Sequence, residues 1–299
     1  MQSMKDSTSS PPRYRGRLAP SPTGYLHAGH ARTFWTAYER ARNADGTLVM
    51  RIEDLDPDRS RAVYADAALE DLRWLGISWQ EGPDVSGPCA PYAQSGRRAF
   101  YLEAWRKLLA GGFIYRCRCS RRDLEVALSA PHEIPAQEPL DDEPIYPGTC
   151  RNFQNNHSQW PDSPDGFHWR FRVPDGESVE FEDVNLGPQR FVAGVDFGDF
   201  VVWRRDGVPS YQLACVVDDA AMRITEVVRG EDLLTSTARQ ILLNRALGFR
   251  NPTWFHCRLM RDENGHRLAK RHDALSLRTL RERGVTPEHI LSGERLSLD

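Results

Sequence analysis

No apolar run in this 299-residue chain approaches the roughly 18 residues needed to span a bilayer, which excludes a membrane-crossing helix. The N-terminal MQSMKDSTSSPP lacks the positive flank and apolar centre of an export signal, so a cytoplasmic protein without membrane partners is expected. Cysteine is sparse, and without an export signal the six present read as thiols or metal ligands before disulfides. Neither a Walker A loop nor G-x-G-x-x-G occurs, which removes the commoner phosphate cradles. Internal repeats are absent. Basic charge is not in excess either: the net charge is −3, so a nucleic acid would have to meet a local basic surface. What is present is an ordinary globular balance, 40% hydrophobic and 27% charged, enough for a sizeable core.

Residues 1–12 are Ser/Pro-rich and read as a disordered tail. RYRGRLA (13–19) predicts a strand, and Ala31, Phe34, Trp35, Tyr38 and Ala41 follow the spacing of a helix with one buried face. TLVMRIE (47–53) predicts a covered parallel strand, completing a βαβ unit. Helices are expected over 62–75 and 97–110, each stopped by glycine. From FIYRCRC (113–119) the character shifts to a proline-rich, weakly apolar span with strand-like pieces at FHWRFRV and DFVVWRR, the latter before an Asp206-Gly207 hairpin signal. This middle third looks inserted. Beyond it YQLACVV (211–217), which would place Cys215 in a core strand, ITEVV (224–228) and a helix over 235–247 resume the α/β pattern. A strand around WFHCRLM, a basic loop and two short helices follow.

The segment APSPTGYLHAGHART (19–33) joins the first strand to its helix through two prolines, two glycines and two histidines. A helix start at a sheet's carboxyl edge directs unpaired N–H groups and a positive dipole end at any bound phosphate. His27 and His30, three apart, share one face of that first turn and can each donate N–H to a phosphate. The alternative is that both are merely exposed or cap-like.

RLAPSPTGYLHAGHART resembles the HIGH signature of class I aminoacyl-tRNA synthetases in the form that glutamyl-tRNA synthetases use, with His27-Ala28-Gly29-His30 as the match. RIEDLDPDRS (51–60), SYQLACVVDD (210–219) and ITEVVRGEDLLTST (224–237) resemble later blocks of that family, and RLAKR (267–271) stands where it has KMSKS. Arg267 and Ala269 depart from that signature, leaving Lys270 as the cation for the ATP phosphates; a solvated basic loop is the plainer reading. The resemblance implies an α/β, Rossmann-like catalytic core in two halves, 13–98 and 209–262, around an inserted zinc-bearing α+β subdomain, 99–208, with 263–299 carrying the KMSKS-like loop and short helices. It implies ATP with Mg2+, contacted by His27, Gly29, His30 and Lys270. L-glutamate would lie along Arg17, Leu18, Ala19, Pro20 and Ser21, with Arg17 and Arg229 on its carboxylates, Glu53 on its ammonium and Tyr211 lining the pocket. Planar cationic forks and a fixed anion are what such a substrate requires. Glu53 could instead pair with Arg51 on the surface.

Cys117 and Cys119 are one residue apart on a predicted strand and so share a face, and Cys150 follows a tight turn. Three cysteines in a loop-rich segment suggest one structural Zn2+. His132 or His157 would be a conventional fourth ligand, whereas the resemblance points to Tyr146; reduced core thiols are the alternative to a metal. The chain runs only 28 residues past Arg271, from which no anticodon-binding domain is expected. The resemblance is therefore to the truncated paralogues, the glutamyl-queuosine tRNA(Asp) synthetases. It implies a monomer that activates glutamate without tRNA and transfers it to queuosine-modified tRNA(Asp). Charging of a tRNA 3′ end, or an inactive RNA-binding module, are the other readings, and Arg278, Arg281 and Arg283 are candidates for RNA contact.

Overall fold

The computed structural model describes residues 13–120, 123, 145–152, 162–259 and 276–292. β1 (Arg15–Leu18), α1 (Ala28–Asn43) and β2 (Thr47–Met50) form the expected βαβ unit, with β1 and β2 parallel and Arg17 opposite Val49. α2 (Ala62–Trp74) and α3 (Arg98–Ala110) follow, and Gly76 and Gly112, both at positive φ, turn the chain out of them.

β3 (Ile114–Cys117), β4 (His168–Phe171) and β7 (Phe200–Trp203) make an antiparallel sheet in the order β3-β4-β7. The Asp206-Gly207 turn closes as expected, Arg204 N donating to Val208 O. A second sheet has the order β6 (Gly187–Val192), β5 (Ser178–Asp183), β9 (Thr253–Cys257), β8 (Glu226–Gly230). In it the β5 and β6 hairpin extends the parallel pair β8 and β9.

One expected strand is a helix. YQLACVV opens α4 (Tyr211–Ala221), capped by Ser210, whose Oγ accepts from Leu213 N. Every residue from Leu213 to Asp219 is buried, so apolar side chains are wanted all round and the run carries no helical period to read. Cys215 therefore sits on a buried helix, not a core strand. α5 (Leu234–Leu247), ended by Gly248 in the left-handed conformation, packs beside it. α6 (Leu277–Glu282) and α7 (Pro287–Ser292) are the two short terminal helices.

Two apolar clusters hold these layers. One gathers Trp105, Trp169, Trp203, Phe200 and Leu213 between the antiparallel sheet and α3, α4 and α5. The other packs α1 and α2 on β1 and β2 through Leu18, Ala31, Met50 and Leu72, with Leu277 and Ile290 of the terminal helices. Between the sheets, Thr225 N donates to Arg15 O at 2.9 Å, so β1 abuts β8 at the foot of the strands. Higher up the Arg17 side chain takes over, Nη1 donating to Val228 O at 2.8 Å. Strand order reverses at this seam, and its carboxyl end is where open α/β sheets bind ligands. Among the described residues no helix is long and apolar enough to cross a membrane.

Candidate active site

The turn after β1 brings two histidines face to face. His27 is the N-cap of α1, its Nδ1 accepting from Gly29 N at 3.2 Å, and His30 Nδ1 accepts from His27 N at 3.4 Å. The rings stack with centroids 3.7 Å apart. An accepting Nδ1 carries no proton, so each neutral ring bears its hydrogen on Nε2. The cap-like and phosphate-directed readings are thus compatible: one nitrogen builds the turn and the other is a donor. A side chain on Gly29 would place Cβ 3.1 Å from His27 Cε1 and force that ring aside. Across the turn, His27 pairs with Ser276 and Leu277 N donates to Leu26 O at 2.7 Å.

Below the turn lies a closed ionic cluster. Arg51 is fully buried, donating to Asp219 Oδ1 at 2.7 Å and Glu53 Oε1 at 3.0 Å, with Asp218 Oδ2 at 3.9 Å. Arg97 Nε donates to Asp218 Oδ1 at 2.6 Å, and Gln94 and Tyr101 donate to Asp218 Oδ2. Arg17 Nε stands 3.7 Å from Asp219 Oδ1 and has no hydrogen-bond partner, although buried. Arg17, Arg51 and Arg97 thus face Glu53, Asp218 and Asp219, three charges against three. The Glu53–Arg51 pair exists, but in the interior and not on the surface. Both bonds on Glu53, from Arg51 and from the Cys215 thiol at 3.4 Å, fall on Oε1, leaving Oε2 to accept from a ligand.

Arg229, at the end of β8, is also buried but differently served. Its Nη1 donates to Gln240 Oε1 at 2.9 Å and Tyr211 Oη at 3.4 Å, its Nη2 to Thr237 Oγ1 at 2.6 Å, and its Nε to His256 Nε2 at 3.2 Å. Trp254 lies under the guanidinium, 4.9 Å from its carbon. Every one of these partners is neutral, and among the described residues no carboxylate lies within 4 Å of Arg229. Burial, followed by the nearby Arg229 charge, pushes the His256 imidazolium down to about 4, so that ring is neutral at physiological pH. A buried guanidinium cannot shed its proton, so this pocket keeps an unmatched positive charge. Burial pushes the Tyr211 hydroxyl up, with Cys215 and Glu53 adding to the shift and Arg229 and Arg17 opposing it.

The remaining expected contacts are distributed unevenly. Leu18 is buried in the core with its carbonyl accepting from Arg51 N, and the Pro20 carbonyl accepts from Glu53 N at 3.0 Å, so both fix the β2 extension. Ala19 is half-buried and Ser21 exposed at the mouth. Lys270 and Arg267 lie outside the described residues, as do His132 and His157.

In the middle third Cys117, Cys119 and Cys150 bring their sulfurs within 4.8 Å of one another. Cys119 Sγ is 3.6 Å from Cys150 Sγ, and the Tyr146 hydroxyl lies 3.4 Å from Cys117 Sγ and 3.5 Å from Cys119 Sγ. Tetrahedral zinc, with bonds of about 2.3 Å to sulfur and about 2.0 Å to oxygen, needs ligand separations of roughly 3.5–3.8 Å. The Tyr146–Cys117, Tyr146–Cys119 and Cys119–Cys150 separations fit that requirement. Arg170 completes the surroundings, Nε 3.4 Å from Cys117 Sγ and its carbon 3.9 Å from the Tyr146 ring centre, a cation that favours thiolate and phenolate. Without an ion, burial pushes the Cys119 thiol up to about 11.

Residues 13–297 match the family model described as tRNA synthetases class I (E and Q), catalytic domain. The chain belongs to this class I synthetase family. It is 49% identical over 278 residues to a glutamyl-Q tRNA(Asp) synthetase of Symbiobacterium thermophilum, covering 92% of this chain and 84% of that one. A protein of the same name from Nitratidesulfovibrio vulgaris is 46% identical, covering 92% and 83%. Among solved structures, a glutamate-tRNA synthetase from Elizabethkingia anophelis superposes with a TM-score of 0.73 at 29% identity, over 87% of this chain and 53% of that one. The site of this synthetase domain combines Arg17 of β1 and Arg229 of β8 with Asp218 and Asp219 of α4 and Thr237 and Gln240 of α5.

The sequence reading of the synthetase site omitted Arg51, Asp218, Asp219, Thr237, Gln240, His256 and Asp183. Asp218 and Asp219 close the SYQLACVVDD block and Arg51 opens RIEDLDPDRS, so a charge pair between blocks was the available signal. His256 alternates with Trp254 on one face of β9, a polar residue where the strand pattern expects an apolar one.

Proposed function

We propose that the protein activates L-glutamate with ATP, without tRNA, and transfers it to queuosine at the wobble position of tRNA(Asp). The observation that carries the glutamate half is Arg229: a buried guanidinium ringed by neutral acceptors, beside Arg17 and Glu53. The substrate's carboxylates supply the missing anion at Arg229 and an acceptor for the unpartnered Nε–H of Arg17, and its ammonium meets Glu53 Oε2. Class I synthetases use ATP and Mg2+, and His27 and His30 offer Nε2–H to the phosphates at the helix start. Lys270, six residues before the Ser276 that pairs with His27, would supply the cation for the ATP phosphates. In the first step a carboxylate oxygen bonds to the α-phosphorus of ATP and pyrophosphate departs. In the second a hydroxyl of the queuosine cyclopentene-diol attacks the acyl carbon, AMP leaves and the hydroxyl proton passes to solvent. Mg2+ would shield the phosphate charge, and Zn2+ held by Cys117, Cys119, Tyr146 and Cys150 would supply structure, not chemistry. The enzyme acts as a cytoplasmic monomer.

The names and coverage of the two relatives above support the acceptor half. Glutamate-dependent ATP–pyrophosphate exchange without tRNA tests the first step; no exchange removes the activation reading. Labelled glutamate should then join tRNA(Asp) containing queuosine. Equal labelling of tRNA(Asp) lacking queuosine would favour charging of the 3′ end instead.

A further inference from the structure

His256 and Asp183 make a second layer behind Arg229. Both are fully buried. Asp183 Oδ1 accepts from Asn185 N at 3.0 Å and Leu186 N at 2.9 Å, His256 N is shared between Oδ1 at 3.3 Å and Oδ2 at 3.1 Å, and Oδ2 lies 2.6 Å from His256 Nδ1. A short contact between that nitrogen and a carboxylate oxygen requires the ring hydrogen on Nδ1. Nε2 is then a lone pair, and it is this atom that meets the Nε–H of Arg229 at 3.2 Å and lies 3.0 Å from Thr237 Oγ1. The opposite tautomer would set two N–H groups against each other. On the far side, Gln240 Nε2 donates to Gln212 Oε1 and Gln212 Nε2 to Ser236 Oγ, which turns the Gln240 carbonyl toward Arg229. The guanidinium is therefore gripped from both flanks by groups whose orientations are set elsewhere.

We infer that Asp183 and His256 are positioning residues for glutamate: the carboxylate fixes the ring's tautomer, and the ring fixes the plane in which Arg229 receives the substrate carboxylate. The pair holds the guanidinium without neutralising it, since the ring keeps the Asp183 charge one side chain away. A carboxylate in direct contact with Arg229 would compete with the ligand. The inference rests on the glutamate reading above, and its structural half can be tested independently.

Asp183→Asn is the informative variant. Its carbonyl oxygen stays with the Asn185 and Leu186 N–H groups at the Oδ1 position, so its amide NH2 takes the Oδ2 position, faces His256 Nδ1 and drives the hydrogen to Nε2, against Arg229. Long-range 1H–15N spectra of ring-labelled protein, assigned with His256→Gln, should show the Nδ1–H form in the wild type and the Nε2–H form in Asp183→Asn. In pyrophosphate exchange the glutamate KM should rise about 10- to 100-fold, the range for losing a hydrogen bond to a charged group, with the ATP KM unchanged. His256→Gln, which retains an acceptor, should fall between wild type and His256→Leu. A wild-type Nε2–H tautomer would overturn the inference, as would unchanged glutamate KM in both Asp183→Asn and His256→Leu, or an equal rise for glutamate and ATP. Absence of exchange in the wild type would instead remove the proposed function, and the tautomer would then decide the positioning claim alone.

Discussion

Two buried arginines a few residues from the same seam have opposite surroundings. Arg51 is fully enclosed and shared among Asp219, Glu53 and Asp218, so its charge is matched within the protein. Arg229 is nearly as deep, yet only neutral oxygens and a neutral imidazole bond to it. The first arrangement is a structural joint that ties β2 to α4. The second has the form of a receptor, because a guanidinium left unmatched in a low-dielectric interior gains most from an incoming anion. Asp71 of α2 offers the converse: both its oxygens are buried without hydrogen-bond partners, and desolvation pushes its carboxyl up to about 6. A carboxylate can resolve an unmatched charge by taking a proton. Arginine cannot, and must be given a ligand.

Breaking the matched side should cost most in stability. Arg51→Met leaves Glu53 and Asp219 buried without their cation and should destabilise the fold by about 3–5 kcal/mol, measured by urea unfolding. The cysteine cluster is a third case, in which burial keeps the Cys119 thiol protonated and a bound cation would favour the thiolate. Cys150→Ser should abolish bound zinc, measured by elemental analysis, and cost about 3 kcal/mol in the same unfolding assay. Arg229→Leu should instead spare stability while lowering kcat/KM for glutamate about 100-fold or more in pyrophosphate exchange, since a charge-assisted contact to the substrate carboxylate is lost. Smallest is Asp71→Asn. Because the folded carboxyl takes up protons above the unfolded value near 3.9, Asp71 contributes stability that is full at low pH and fades as pH rises through about 6. The variant should be more stable than the wild type by about 1–2 kcal/mol at pH 8, with the gap closing toward pH 4 in thermal melts.

The comparison also marks how far the sequence could be read. The His27–His30 turn was legible because all its parts lie within one contiguous segment, and the structure brings the rings together. Cys117, Cys119 and Cys150 were legible as a group for the same reason, local spacing plus ligand type, whereas Tyr146 was named only by the resemblance. Arg229 and Glu53 were placed by resemblance, but the neutral shell of Arg229 comes from residues 8 to 27 positions away on other elements, and the neighbouring Arg51–Glu53 pair is enclosed by Asp219 and Cys215, more than 160 positions on. α4 was misread because burial on all sides erases the period that separates a helix from a covered strand. The basic loop with Lys270 lies outside the described residues; Leu259 and Ser276 flank it, Leu259 N donating to Glu231 Oε1 at 2.9 Å.

Calorimetric titration of the wild-type protein with L-glutamate and then L-glutamine tests most directly whether the unmatched charge at Arg229 selects the substrate. The two ligands differ by one carboxylate and are nearly equal in shape. Saturable heat with L-glutamate and none with L-glutamine at the same concentrations is the expected result. Equal affinity for the two would contradict the account.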